Sequence, residues 1–327
     1  MKKNMLRLLA ILLVCATFKI SPIQATPSQT PTNTQISPAQ MLLVYYSSIN
    51  LKDYGQAYSL WLNPPQTFQD FAGGFVDTDH VLPFFGTIQT NPVSSAEYGR
   101  IPTVLFGFHT DGTQVSYAGC FSISQTTVGW RIFNADLGFI SNRAFPDLSN
   151  VSQYLSINCY ATSPTATITP TFINFQLSDG QQFLDTYYQI INRRDYATAY
   201  GLWLQPLPGP KPNGAPAVDY RTPYADFVAG YADTTYVMVY PGPYNAGGGF
   251  AGHGYVAGVI PAVLVGLHLN GSVSAVAGCY VLGGLRANQL GIVSGKFQPL
   301  STTNDIPDGG TILRALTLDC NQFGLSY

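Results

Sequence analysis

Charge is what this chain has least of. Asp, Glu, Lys and Arg make up 10% of its 327 residues and the net charge is -2, where a soluble protein averages about 25% charged residues. No basic field is therefore available to hold nucleic acid or an anionic membrane surface. Long apolar runs are missing too. None reaches the roughly 20 residues needed to span a bilayer, so no transmembrane segment is expected in the mature chain. Cysteine and histidine number only five and four, and there is no Cys-x-x-Cys. Two thiols and one matched His in each half are too few for a zinc centre. The Gly-rich stretch 242–258 is followed by no Lys-Ser/Thr and sits in no βαβ unit, which argues against a phosphate cradle. Neither a metal nor a cofactor is expected.

What the chain does have is an internal repeat. Tyr45-Tyr46-x-x-Ile49-Asn50-x-x-Asp53-Tyr54-x-x-Ala57-Tyr58-x-Leu60-Trp61-Leu62 returns as Tyr187-Tyr188-x-x-Ile191-Asn192-x-x-Asp195-Tyr196-x-x-Ala199-Tyr200-x-Leu202-Trp203-Leu204. Further on, Asp77-Thr78 matches Asp233-Thr234 and Ile101–His109 matches Ile260–His268. Ala118-Gly119-Cys120 likewise matches Ala277-Gly278-Cys279. A repeat this long describes whole domains rather than the 20–50-residue units of a solenoid. The reading is residues 38–160 and 176–327 as two domains, each expected to fold cooperatively by itself.

The segments around them have their own signatures. Residues 1–25 combine a basic start, Met1 to Arg7, with an apolar run from Leu8 to Ala16 and a plausible cleavage point after Ala25, as in a signal peptide. Secretion, or residence in the extracytoplasmic envelope, follows. Cys15 leaves a lipid anchor open, but Val14 is bulky where lipoprotein boxes take a small residue. Residues 26–37 and 161–175 are Pro/Thr-rich linkers with nothing to bury. Four cysteines remain in the mature chain, and the spacing favours Cys120–Cys159 and Cys279–Cys320 within each half, kept by an oxidising compartment. Closing a loop of about 40 residues contributes about 3–4 kcal/mol.

Each half opens with helices. Leu42, Tyr45, Tyr46 and Ile49, and equally Leu184, Tyr187, Tyr188 and Ile191, stand at i, i+3, i+4 and i+7. Ser37 with Gln40 and Asp179 with Gln182 are start signals, and Asp53 and Asp195 cap a second helix. A third helix covers about Phe68–Phe75 and Tyr224–Tyr231. Strands follow. Ile101–His109 and Ile260–His268 end at Asp111-Gly112 and Asn270-Gly271, hairpin turns in which both central residues tolerate φ > 0. Further strands are expected near 128–138 and 151–160, and near 290–300 and 311–320. Helices first and an antiparallel sheet after them make an α+β domain.

This order, with the Tyr-Tyr-x-x-Ile-Asn-x-x-Asp-Tyr-x-x-Ala-Tyr-x-Leu-Trp signature, resembles the nuclear transport factor 2-like (cystatin-like α+β) superfamily across both halves. The resemblance implies three N-terminal helices on a curved antiparallel sheet, closing a conical cavity that some members use for catalysis and others for binding. It brings Tyr45 or Tyr46, Trp61 and the strand ending at His109 towards one cone. Tyr187 or Tyr188, Trp203 and the strand ending at His268 approach the other.

The pocket candidates are Tyr46, Trp61, Asp77 and His109, with Tyr188, Trp203, Asp233 and His268. The buried carboxylates that an isomerase of this family needs are not evident: Asp111 lies in a turn and becomes Asn270, and Asp136 has no counterpart. His109 and His268 find no matched acid, Ser or Cys nearby in sequence, so surface or structural roles are expected of them. Asp77 and Asp233 fit turn-fixing positions, and the aromatic residues at helical spacing fit a core. His80 and His253 are unmatched and receive no role. The expectation is an exported, non-catalytic binding protein for an unknown small molecule or envelope partner. A small-molecule isomerase, cyclase or dehydratase, and a structural envelope protein, are the alternatives.

Overall fold

The computed structural model describes residues 36–90, 98–141, 148–161, 179–204, 222–246, 256–284, 290–300 and 305–320. The predicted signal segment, Cys15, most of both Pro/Thr linkers, the insertion 205–220 and His253 lie outside the described residues.

Helix α1 (Pro38–Asn50) starts where the sequence says it should. Ser37 Oγ accepts from Gln40 N while Gln40 Oε1 accepts from Ser37 N, a complete capping box with Pro at N1. Its Leu42, Tyr45, Tyr46 and Ile49 are all buried. Asp53 caps α2 (Tyr54–Ser59) and Thr67 caps α3 (Phe68–Gly73). Then come β1 (Thr78–Phe85), β2 (Gln89–Thr90), β3 (Tyr98–His109), β4 (Gln114–Thr126), β5 (Gly129–Ser141) and α4 (Leu148–Leu155). The second half repeats the series as α5 (Asp179–Asn192), α6 (Tyr196–Gly201), α7 (Tyr224–Ala229), β6 (Thr234–Pro241), β7 (Asn245–Ala246), β8 (Val256–His268), β9 (Val273–Gly284), β10 (Gly291–Pro299) and α8 (Gly309–Ala315).

The protein is thus α+β with two antiparallel sheets, ordered β1-β3-β4-β5 and β6-β8-β9-β10. The short β2 and β7 pair with β3 and β8. Two expected strands are helices instead. Residues 151–160 contain the end of α4, and 311–320 contain most of α8. Val151 and Leu155 line the buried side of α4, and in α8 the side chain of Asp308 caps Thr311 N over buried Ile312 and Leu313. Helical capping and a single buried stripe outweigh the β-branched content of these segments.

The hairpin turns also differ from expectation. Gly112 and Gly271 take φ of 83° and 79°, whereas Asp111 and Asn270 keep negative φ and accept from Thr113 N and Ser272 N. These are Asx turns closed by a single left-handed glycine.

Burial on both faces of each sheet organises the core. In β1, Val81 and Phe85 belong to a core under α1, while Leu82 and Phe84 point the other way. The second sheet divides likewise: Val237 and Val239 face α5, and Tyr236, Met238 and Tyr240 face away. The outward-facing sets of both halves join in one shared core with α4 and α8. Phe84 and Tyr240 pack with ring centroids 4.9 Å apart, and the Tyr240 hydroxyl donates to Pro83 O at 2.8 Å. Residues 36–327 form one compact unit.

Disulfides Cys120–Cys159 and Cys279–Cys320 tie β4 to the segment after α4 and β9 to the segment after α8, with Cα separations of 5.9 and 5.7 Å. The preceding glycines explain the Ala-Gly-Cys repeat. A Cβ on Gly119 would stand 1.9 Å from the Asp136 carbonyl oxygen, and one on Gly278 would stand 2.0 Å from that of Lys296. No helix among the described residues is long and apolar enough to cross a membrane.

Candidate functional site

The repeated signature builds the frame around a cavity in the first half. Asn50 clamps the start of β1: its Nδ2 donates to Val81 O at 2.9 Å and its Oδ1 accepts from Val81 N at 2.7 Å. Asn192 does the same to Val237. The amide side chain stands in for a neighbouring strand and satisfies backbone groups that the edge would otherwise leave open. Lys52 and Arg194 take left-handed φ of 63° and 64° after the helix and bind the carbonyls of Thr78 and Thr234. Trp61 is fixed by backbone bonds on either side, Leu62 N to Ile132 O and Ile132 N to Leu60 O. Tyr, Asn, Asp, Ala and Trp of the signature are therefore fold-making residues.

Between α1 and the inner face of the first sheet lies a cavity of about 340 Å³. Tyr45, Tyr46 and Phe121 pack edge to face at its floor, with centroids 4.9–6.3 Å apart, and Leu105 and Leu137 line the sheet side. Thr78 and His109 line it too, as does Tyr117. Burial pushes the Tyr45 phenol well above its ordinary range, and so it remains a neutral hydrogen-bonding group. The Trp61 indole N–H interacts electrostatically with that phenol but makes no hydrogen bond of normal geometry. No lining side chain is a carboxylate. Among the described residues, no cluster of three or more His, Cys, Asp or Glu could hold a metal ion.

Tyr46, Trp61 and His109 line this cavity; Asp77 does not. Asp77 stands just behind, its Oδ2 3.4 Å from His109 Nδ1, and is 66% exposed. Asp233 and His268 repeat the pair at 3.4 Å. This corrects the expectation that neither histidine has a matched acid. The residues are far apart in sequence, but β1 pairs with β3 so that Thr78 faces His109, and β6 pairs with β8 so that Thr234 faces His268.

The matching positions of the second half carry bulkier and more polar side chains. Tyr280 stands where the first half has Phe121, and Phe297 where it has Leu137. The hydroxyls of Tyr188 and Tyr280 meet at 2.5 Å, Tyr280 packs on Phe297 at 4.8 Å, and Trp203 Nε1 donates to Tyr187 at 3.1 Å.

Sequence reasoning missed His80 altogether. It is 5% exposed at the junction of the halves, with Nδ1 2.9 Å from Asp79 Oδ2 and Nε2 3.2 Å from Asp185 Oδ1. Its ring stacks on Phe108 at 4.2 Å. Burial pulls the imidazole pKa down, but Asp185 and Asp79 together outweigh that and raise it to about 9. The available signal was an Asp-His pair opening an otherwise apolar strand, at a position where the second half has Tyr236.

No family model and no curated protein matches the chain. Among solved structures, the chain is similar to a protein from Novosphingobium aromaticivorans assigned as an aromatic ring hydroxylase. The match has 14% identity and a TM-score of 0.25, and covers 31% of this chain and 90% of that one.

Proposed function

We propose that the chain is an exported protein with two tandem nuclear transport factor 2-like domains, whose first cone binds a small, largely apolar ligand. The carrying observation is the cavity of about 340 Å³, walled mostly by aromatic and aliphatic side chains, with Thr78, His109, Trp61 and three tyrosines supplying polar atoms. Its size falls within the range of small-molecule sites, which are mostly apolar with a few converging polar groups. Two disulfides support an oxidising, extracytoplasmic location.

The test is fluorescence titration with a neutral naphthalene dye, N-phenyl-1-naphthylamine. Leu137→Phe, which gives the first cone the residue of the second, is expected to weaken dye binding at least tenfold while leaving the melting temperature close to wild type. Equal binding by Leu137→Phe, or no saturable binding by the wild type, overturns the proposal.

A further inference from the structure

The second half holds a chemical group that the first half lacks. His268, at the end of β8, lies with Nδ1 3.4 Å from Asp233 Oδ2 and Nε2 2.8 Å from Ser274 Oγ. The register makes this arrangement possible. Gly266 on β8 pairs with Ser274 on β9, and His268 is two residues beyond Gly266 on the same face. With no side chain on Gly266 the hydroxyl has room, since a Cβ there would sit 3.0 Å from Ser274 Oγ. Ser274 is exposed, whereas His268 Nδ1 is buried and has the exposed Asp233 carboxylate 3.4 Å away, close enough for charge attraction but without a hydrogen bond of normal geometry. A reachable hydroxyl, an imidazole within hydrogen-bond distance and a carboxylate behind the imidazole are the parts of an activated nucleophile.

The first half serves as an internal control. It keeps the His–Asp pair at 3.4 Å, but Val115 occupies the position of Ser274, opposite Gly107. The pair alone therefore suits both halves as structure, and the hydroxyl is the addition. Tyr231 also replaces Phe75, packed against the core of the second half, and burial raises its phenol pKa so that it stays protonated.

We infer that Asp233, His268 and Ser274 form a nucleophilic triad that accepts the acyl group of small, unhindered esters. Ser274 Oγ bonds to the ester carbonyl carbon as His268 Nε2 takes the hydroxyl proton, with Asp233 stabilising the imidazolium. The C–O bond to the alcohol then breaks, and the leaving oxygen takes that proton. Water, deprotonated by His268, attacks the acyl-serine, releasing the carboxylic acid and returning the proton to Ser274. This reaction needs only ester and water, and is independent of ligand binding in the first cone.

The experiment treats the full exported chain with a biotinylated fluorophosphonate and maps the label by peptide mass spectrometry, alongside p-nitrophenyl acetate hydrolysis. Label on Ser274, and hydrolysis that falls at least tenfold in Ser274→Val and in His268→Gln, are the expected results. Ser274→Val installs the residue that the first half carries at this place, and a wild-type melting curve shows that it folds. Absence of label on Ser274 in folded wild type, or hydrolysis unchanged in folded Ser274→Val, overturns the inference.

Discussion

His80 Nε2 lies 3.2 Å from Asp185 Oδ1, so a buried imidazole of the first half meets a carboxylate on the first helix of the second. Asp79 holds the other ring nitrogen, and Arg193 from the second half reaches Asp79 at 3.4 Å. The seam between the halves is therefore apolar at its centre and ionic at this point. A buried ion pair lends itself to a specific test, because removing one partner strands the other charge.

The pKa of His80 is raised to about 9 in the folded protein, above its unfolded value of about 6.5. Its contribution to stability is therefore complete below about pH 6.5 and is lost as pH rises through about 9. A displacement of this size corresponds to about 3 kcal/mol. Urea unfolding of wild type and His80→Gln is expected to show the gap between them shrinking by about 2–3 kcal/mol from pH 6 to pH 10. Lys52, Asp79, Asp185, Arg193 and Tyr236 are common to both proteins, and the difference isolates the imidazole. A gap that does not change with pH would contradict the assignment.

Asn50→Ala removes both bonds to Val81 and leaves a strand-edge N–H and C=O without their partner. An expected loss of about 1–3 kcal/mol follows from the cost of unsatisfied buried polar groups. Asn192→Ala is expected to cost a similar amount through Val237. Chemical denaturation of the two single variants checks this, and near-zero effects would mean that water replaces the clamp.

Gly119→Ala places a methyl group against the Asp136 backbone, which cannot rotate away as a side chain would. About 2 kcal/mol or more of destabilisation is expected, in line with other overpacked sites. Gly73→Ala, where nothing lies within 4 Å of the added carbon, is the matched control. Comparable melting temperatures for the two variants would show that the strands separate at little cost.

The shared core bears on how the halves behave when separated. Expressed alone, residues 36–161 would expose Leu82, Phe84, Val104 and Phe106, and residues 179–320 would expose Met238, Tyr240, Val263 and Val265. Patches of this kind associate. Light scattering is expected to find each half self-associated, and a one-to-one complex after mixing. Two stable, non-interacting monomers would show that the shared core is dispensable.

Sequence alone determined the local structure and its duplication. Capping by Ser37, Asp53 and Asp195, the helical spacing of the buried Tyr, Leu and Ile residues, and the glycine turns at 112 and 271 all act between residues a few positions apart. Matched cysteine spacing in a repeated unit was enough to pair Cys120 with Cys159 and Cys279 with Cys320. The helices α4 and α8 were missed because short apolar segments fit a strand or a helix equally well until their packing partner is known. Only the tertiary structure brought Asp77 to His109 and Asp185 to His80. Strand register and the packing of one half on the other set those distances, and neither is written in the residues adjacent to the groups that meet.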